Sequence, residues 1–168
     1  MAVPQDIILG DGVFAVGGTD IALTRGGGSF TVEREYRNID ADGDYGPVKG
    51  RIRKTRSVAK LKMNALELLP ANLVKIFPST EVTSGGGTDT FQGKADIEDA
   101  DYASNVTWTG KTKGGRPVVI QLDNAICLEN LDWSLIDKEE IVPEVIFTAA
   151  YAENARTTEP WKVTFSPA

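Results

Sequence analysis

From Ser29 to Ile39 apolar and charged residues alternate along the chain. Phe30, Val32 and Tyr36 fall with Arg34 on one side of an extended strand, and Thr31, Glu33, Glu35 and Arg37 fall on the other. A second run extends from Val48 to about Leu66, in whose far part Ala59, Leu61, Met63 and Ala65 oppose Lys60, Lys62 and Asn64. Between the two lies Asp40-Ala-Asp-Gly-Asp-Tyr-Gly-Pro47, an acidic, glycine-broken segment suited to a turn. The pattern predicts a long charged β-hairpin over residues 30–66 with its tip at 40–47. With the turn centred near Gly43, Glu35 faces Arg51 and Glu33 faces Arg53, each pair contributing about 0.2–1 kcal/mol.

The rest of the chain reads as shorter strands. Ile7 to Leu9 and Val13 to Val16 are β-prone runs broken by Gly10-Asp-Gly12, so the first 16 residues are expected as a terminal arm or edge strand. Ile21 to Thr24 is a further strand candidate, and Arg25-Gly-Gly-Gly28 a turn. Leu69, Leu73, Ile76 and Phe77 recur at helical spacing, predicting one amphipathic helix over 66–77, with Pro70 in its first turn and Pro78 beyond its end. Thr83 to Thr88 is glycine-rich and expected as a flexible loop. Ala95 to Ser104 is acidic and without clear period. Asn105 to Thr109 is strand-like, and a turn at Lys111 to Gly115 leads into a strand over 116–122. Ala125 to Leu128, Val145 to Thr148 and Trp161 to Phe165 complete the strand set, with Val145, Phe147, Ala149 and Tyr151 sharing one face. The expected fold class is mainly β, a single domain over 1–168 in which two packed antiparallel sheets form a sandwich or barrel-like body flanked by one α-helix.

Charge changes this picture in one respect. Residues 1–84 carry 11 basic and 10 acidic side chains, and residues 85–168 carry 7 and 14. A chain divided in this way can dock copies of itself in a fixed orientation, or simply present two differently solvated faces. The net charge of −6 opposes general nucleic-acid binding, which rests on phosphate neutralisation by Lys and Arg. The single cysteine, Cys127, lies in an apolar run and reads as a small buried hydrophobe. The amino terminus lacks a basic and then apolar leader, and no apolar run approaches the roughly 20 residues of a membrane span, so folding in a cytoplasm is expected.

Candidate chemistry is sparse, and no catalytic residue is expected. The chain has no histidine, which removes Ser-His-Asp and Cys-His systems, the commonest general base and most transition-metal sites. Glu139-Glu140 and the Asp99/Asp101 pair sit in segments that read as solvated. Asp40-x-Asp42-x-Asp44 opens like a calcium loop, but Tyr45 stands where the glycine belongs and Arg51 where the bidentate glutamate belongs. Gly26-Gly-Gly28 and Gly85-Gly-Gly87 lack the Gly-Lys-Ser/Thr ending of a phosphate loop. No cofactor or metal is expected. The run from Lys49 to Lys62 holds 7 of the 18 cationic residues, yet strand alternation divides them between two faces. Trp108, Trp133 and Trp161 offer a ligand platform or, more simply, core and interface anchors.

Together, Ser29-Phe-Thr-Val-Glu-Arg-Glu-Tyr-Arg-Asn-Ile39, the Asp42-Gly-Asp-Tyr-Gly-Pro-Val-Lys-Gly50 tip, the basic return arm and Ala65-Leu-Glu-Leu-Leu-Pro-Ala-Asn-Leu73 resemble the major tail tube proteins of long-tailed bacteriophages. The resemblance covers about residues 25–80. It implies a fold shared with type VI secretion and contractile-tail tubes, and a structural virion protein rather than an enzyme. Hexameric rings of the subunit would stack into a hollow conduit for DNA ejection. The expected partners are further copies of the chain, a tape-measure protein, and tail terminator and tail-tip proteins. Double-stranded DNA would pass through the lumen without specific binding, and no membrane is involved. The implied location is the virion tail, assembled in the host cytoplasm. The long loop at 40–49 would make inter-ring contacts, with Asp40, Asp42, Asp44, Tyr45, Lys49, Arg51 and Arg53 as the contact residues. A type VI-like tube protein and a ligand-binding β-sandwich module are the alternatives.

Overall fold

The computed structural model describes residues 4–21 and 23–167. The protein is mainly β, with two antiparallel sheets and a single α-helix among the described residues. In chain order the elements are β1 (Ile8–Val16), β2 (Thr19–Asp20), β3 (Thr24–Asn38), β4 (Ile52–Ala65), α1 (Pro70–Ile76), β5 (Thr80–Gly85), β6 (Thr88–Gly93), β7 (Ala103–Thr112), β8 (Pro117–Cys127), β9 (Glu144–Ala149) and β10 (Trp161–Phe165). The large sheet runs β2-β1-β7-β8-β9-β4-β3, with β10 also on β8, and β5 and β6 form a separate hairpin.

β8 is the strand around which the body folds. One edge pairs with β7 along most of its length, from Pro117↔Lys111 to Ala125↔Ala103. The other edge is divided: Val118 to Leu122 pair with β10, whereas Ala125 to Cys127 pair with β9. At the change of partner Asn124 takes a left-handed conformation (φ 48°), which Asn tolerates better than most residues. The sheet turns there and brings β3 and β4 over β1, β7 and β10. Phe30 of β3 meets Trp161 of β10 with ring centroids 5.6 Å apart, a tilted aromatic contact. Phe14 of β1 reaches Gly28 of β3 so closely that a Cβ there would lie 2.7 Å from the ring.

The inward faces follow the two-residue period. Ser57, Ala59, Leu61, Met63 and Ala65 of β4 are buried, as are Val145, Phe147 and Ala149 of β9. They pack with Val16, Val106, Trp108, Leu122 and Cys127 into one core, closed at one end by Leu73, Ile76 and Phe77. The Trp108 indole lies against the backbone of Gly12 and Gly110, where an added Cβ would come within 2.5 and 2.3 Å of it.

Several expectations are corrected. The two runs expected at 7–9 and 13–16 are one strand, β1, whose register shifts between Ile8 and Gly12. Residues 8–16 are therefore part of the sheet, while residues 1–3 of the expected arm lie outside the described residues. The strand expected at 21–24 includes Ala22, also outside them, and the strands fall on either side of it. Arg25 to Gly28 is not a turn but a bulge inside β3, with Gly26 and Gly27 at positive φ and the β4 register shifting across it. The loop expected at 83–88 is the two-residue turn of the β5–β6 hairpin, made by Gly86 and Gly87 at positive φ. The separate strands expected at 116–122 and 125–128 are the continuous β8. The helix is shorter than its apolar period suggested, starting only at Pro70, because Leu66 and Glu67 donate their amides to the Leu23 carbonyl.

Candidate functional site

The β3–β4 ribbon is the feature that the compact body does not absorb. β9 pairs with β4 only from Lys60 to Asn64, so the near half of β4 runs on beyond it. A second tether is the Glu159 carboxylate, which accepts hydrogen bonds from Lys54 Nζ, from Ser57 Oγ (3.0 Å) and from Trp161 Nε1. Tyr151 donates to the Ser57 carbonyl (2.9 Å). Lys54 first, then the indole, holds the Glu159 carboxyl below the ordinary glutamate range. Beyond Lys54 the ribbon leaves the body. Among the described residues, every hydrogen bond and ion pair found for residues 37–53 stays within the hairpin.

The register differs from that expected. Glu35 stands opposite Arg56 and bonds to it (3.0 Å) rather than facing Arg51. Glu33 stands opposite Val58 and reaches diagonally to Lys60 (3.0 Å) rather than facing Arg53. The strands end at Asn38 and Ile52, so the connection is longer than predicted and its centre lies near Tyr45, not Gly43. A bulge between Glu35 and Tyr36 adds one more residue of offset. These exposed pairs contribute roughly 0–1 kcal/mol each and set orientation more than stability.

Each predicted contact residue can now be placed. Asp44 is turned inward on the loop, pairing with Arg51 (2.7 Å) and accepting from the Ala41 amide (2.9 Å). Asp40 accepts from the Asn38 side chain. Asp42 and Lys49 are exposed and without an ion-pair partner among the described residues, and Tyr45 is fully exposed at the apex. Arg53 stands directly across the ladder from Arg37, two like charges facing each other with no carboxylate between them. Exposed Tyr36, Ile39 and Ile52 add apolar surface to this basic ribbon. The loop thus brings all seven residues to one projection, while Asp44 and Arg51 serve its internal structure.

A second surface, unmarked by any motif in the sequence, lies at the opposite end of the same strands. Asn64 of β4 pairs with Glu144, and the Ala65 amide donates to the Pro143 carbonyl (3.2 Å), which places the 128–143 segment at the far end of β4 from the tip. The twelve residue steps from Ile52 to Asn64 correspond to about 40 Å. Here Leu128, Leu131, Leu135 and Ile136 are half or more exposed, with Leu135 at 80%. A groove of about 240 Å³ joins Leu128 and Leu131 to Ile97, Phe77 and Pro78. Glu129 lines it too, and with Asp132, Asp137 and Glu139 of the same segment it has no ion-pair partner among the described residues. Glu140 is held by Arg25 (2.9 Å), and its carboxyl is lowered chiefly by its own backbone amide and then by that arginine. The available signal was four large aliphatic residues in a stretch that fits neither strand nor helix period and is rich in acids.

No protein-family model matches this chain, and neither does any curated protein.

Other candidate sites are weaker. A cavity of about 490 Å³ lies between β4 and the 151–159 segment, lined by Lys54, Arg56, Tyr151 and Arg156, but each cation there is already paired, with Glu159, Glu35 and Glu153. The tryptophans do not converge: Trp108 is in the core, Trp161 opens β10, and Trp133 packs on the core from the 128–143 segment. No group of three or more acidic or thiol side chains is disposed to hold a metal among the described residues. Among the described residues no helix is long and apolar enough to cross a membrane.

Proposed function

We propose that this chain is the repeating subunit of a self-assembled protein tube, of the kind that forms the tail tube of long-tailed bacteriophages. The observation that carries the reading is β3. It is the last strand of the large sheet, fifteen residues long, with its outer edge unpaired among the described residues and its far end extended into a free hairpin. An edge of that length is an aggregation liability in a monomer, and a closed ring removes it by pairing it with a neighbour. Charged Glu33, Glu35 and Arg37 and the glycine bulge at 26–27 limit uncontrolled pairing until assembly fixes the partner.

In this reading six copies close a ring through their edges, rings stack through loops, and the acidic balance of the chain keeps DNA from adhering to the lumen. The tape-measure, terminator and tail-tip proteins are the partners the tube requires, and the virion tail is its location. A type VI-like delivery tube would use the same edge and projection, and a secretion ATPase rather than capsid genes beside the coding sequence would decide for it. Electron microscopy of concentrated purified protein tests the assembly itself. Rings or tubes of uniform diameter are expected, and material that stays monomeric at every concentration would overturn the proposal.

A further inference from the structure

We infer that the acidic, leucine-bearing end formed by residues 94–102 and 128–143 is the docking surface for the basic hairpin of a second copy, so that copies join head to tail along the β3–β4 axis. This deepens the tube reading by naming both halves of the contact between successive copies, and rests on that reading for its biological setting.

The first support is placement. The hairpin tip and the 128–143 segment occupy opposite ends of the same strand pair, because β4 carries the tip before Ile52 and pairs with Glu144 at Asn64. Simple translation along the strand axis therefore brings one copy's tip to the next copy's far end. The two patches differ, so the contact is heterologous and continues from copy to copy instead of closing as a two-fold dimer.

The second support is charge. Arg34, Arg37, Lys49 and Arg53 of the ribbon have no ion-pair partner among the described residues, against Asp40 and Asp42 likewise unpaired at the tip, so the free charge of the hairpin is positive on balance. Arg37 and Arg53 are forced side by side across the ladder. A carboxylate from outside the hairpin relieves that repulsion. The far end supplies unpaired Glu129, Asp132, Asp137 and Glu139, with Asp96 and Asp99 on the neighbouring segment, against Lys138 alone unpaired. Lys94, the other cation there, is already taken by Glu98 (3.2 Å), with Asp101 nearby. Complementary fields of this kind fix orientation and speed encounter.

The third support is apolar surface. Tyr45 at the apex is fully exposed, with Ile39 and Ile52 behind it, and the far end exposes Leu128 and Leu131 at its groove and Leu135 and Ile136 further along the same segment. An aromatic anchor on an aliphatic patch with a charged rim is the usual anatomy of a specific protein contact.

Two experiments on the full chain test it. Tyr45→Cys and Leu135→Cys proteins, each altered only at an exposed position, are mixed under mild oxidation, with Tyr45→Cys plus Lys113→Cys as the control. Cys127 is buried and stays silent. The 45–135 disulfide should form at least about tenfold faster than the 45–113 disulfide, and equal rates overturn the inference. In the second experiment, Lys49→Glu/Arg53→Glu and Glu129→Lys/Asp132→Lys proteins are followed by sedimentation, alone and mixed. None of these four side chains is in an ion pair among the described residues, so folding is preserved. Each variant alone should lose head-to-tail association, and the mixture should regain it because reversed tips meet reversed far ends. Wild-type association by either variant alone, or no recovery on mixing, refutes the contact. Tubes that form without the 45–135 crosslink and survive charge reversal leave the tube reading standing and remove this one. A preferential 45–135 crosslink between the cysteine variants, with a wild-type chain that never forms rings or tubes, does the reverse.

Discussion

Gly28 offers the sharpest test of how the two layers close. A methyl group at this position would lie 2.3 Å from the Lys62 carbonyl oxygen and 2.7 Å from Phe14 Cζ. Neither neighbour can yield easily. The carbonyl belongs to the β3–β4 ladder, where Gly28 pairs with Met63 and Ser29 with Lys62, and Phe14 is 96% buried in the core. Overfilling a packed site costs about 1–3 kcal/mol, and two immovable contacts put Gly28→Ala at the upper end, about 2–3 kcal/mol. In a protein of this size, that corresponds to a fall in Tm of about 4–12 °C. Two nearby glycines separate the possible causes. Gly27→Ala meets nothing within 4 Å but has φ 75°, so backbone strain alone should cost about 1 kcal/mol. Gly10→Ala has open space and ordinary φ, so it should stay within about 0.5 kcal/mol of wild type. Urea unfolding of all three, followed by tryptophan fluorescence, gives the ranking. If Gly28→Ala matched Gly10→Ala, the close approach of β1 to β3 would be wrong, and with it the closure of the body.

Two further outcomes follow from groups already placed. The Glu159 carboxyl is lowered in the folded protein, so its contribution is fully present above the unfolded glutamate pKa and is lost as pH falls through the folded value. Glu159→Gln should therefore flatten the acid limb of a stability-against-pH curve, and an unchanged acid limb would show that the carboxylate does not clamp β4 to β10. Burial pushes the Cys127 thiol up, so a disulfide reagent should label the native protein at least about tenfold more slowly than the urea-unfolded chain. Equal labelling rates would place Cys127 at the surface.

The large alternating runs were legible in the sequence because each has one face in the core. The second arm of the hairpin shows this well: Ala59, Leu61, Met63 and Ala65 alternate with lysines and asparagine, and all four are buried. Cys127 and the Val145–Ala149 face were legible for the same reason. Register was not, because the tip and the Glu35/Tyr36 bulge contribute residues without an apolar mark, and a small error moves every cross-strand pair. Glycine misled in two directions. Arg25 to Gly28 reads locally as a turn, yet tertiary packing uses it as a bulge beneath Phe14, and Gly85-Gly-Gly87 reads as loose loop while making a tight hairpin turn. Half of the candidate assembly surface was visible as the charged hairpin. The other half was invisible because Leu128, Leu131 and Leu135 become a surface only when β4 and β9 bring residues 128–143 to the end of the ladder.

The division of β8 between two partners has a consequence for motion. A strand bonded to β7 on one side and to both β10 and β9 on the other cannot open for one layer without releasing the other. The body should therefore lose its amide protection as one cooperative unit, with β8 amides among the last to exchange. Structural adjustment during assembly then falls to parts outside that ladder: the ribbon beyond Lys54, the β5–β6 hairpin and the segments at 94–102 and 128–143. The subunit behaves as a rigid block with pliant ends, which lets neighbouring copies settle against one another while its own fold stays fixed.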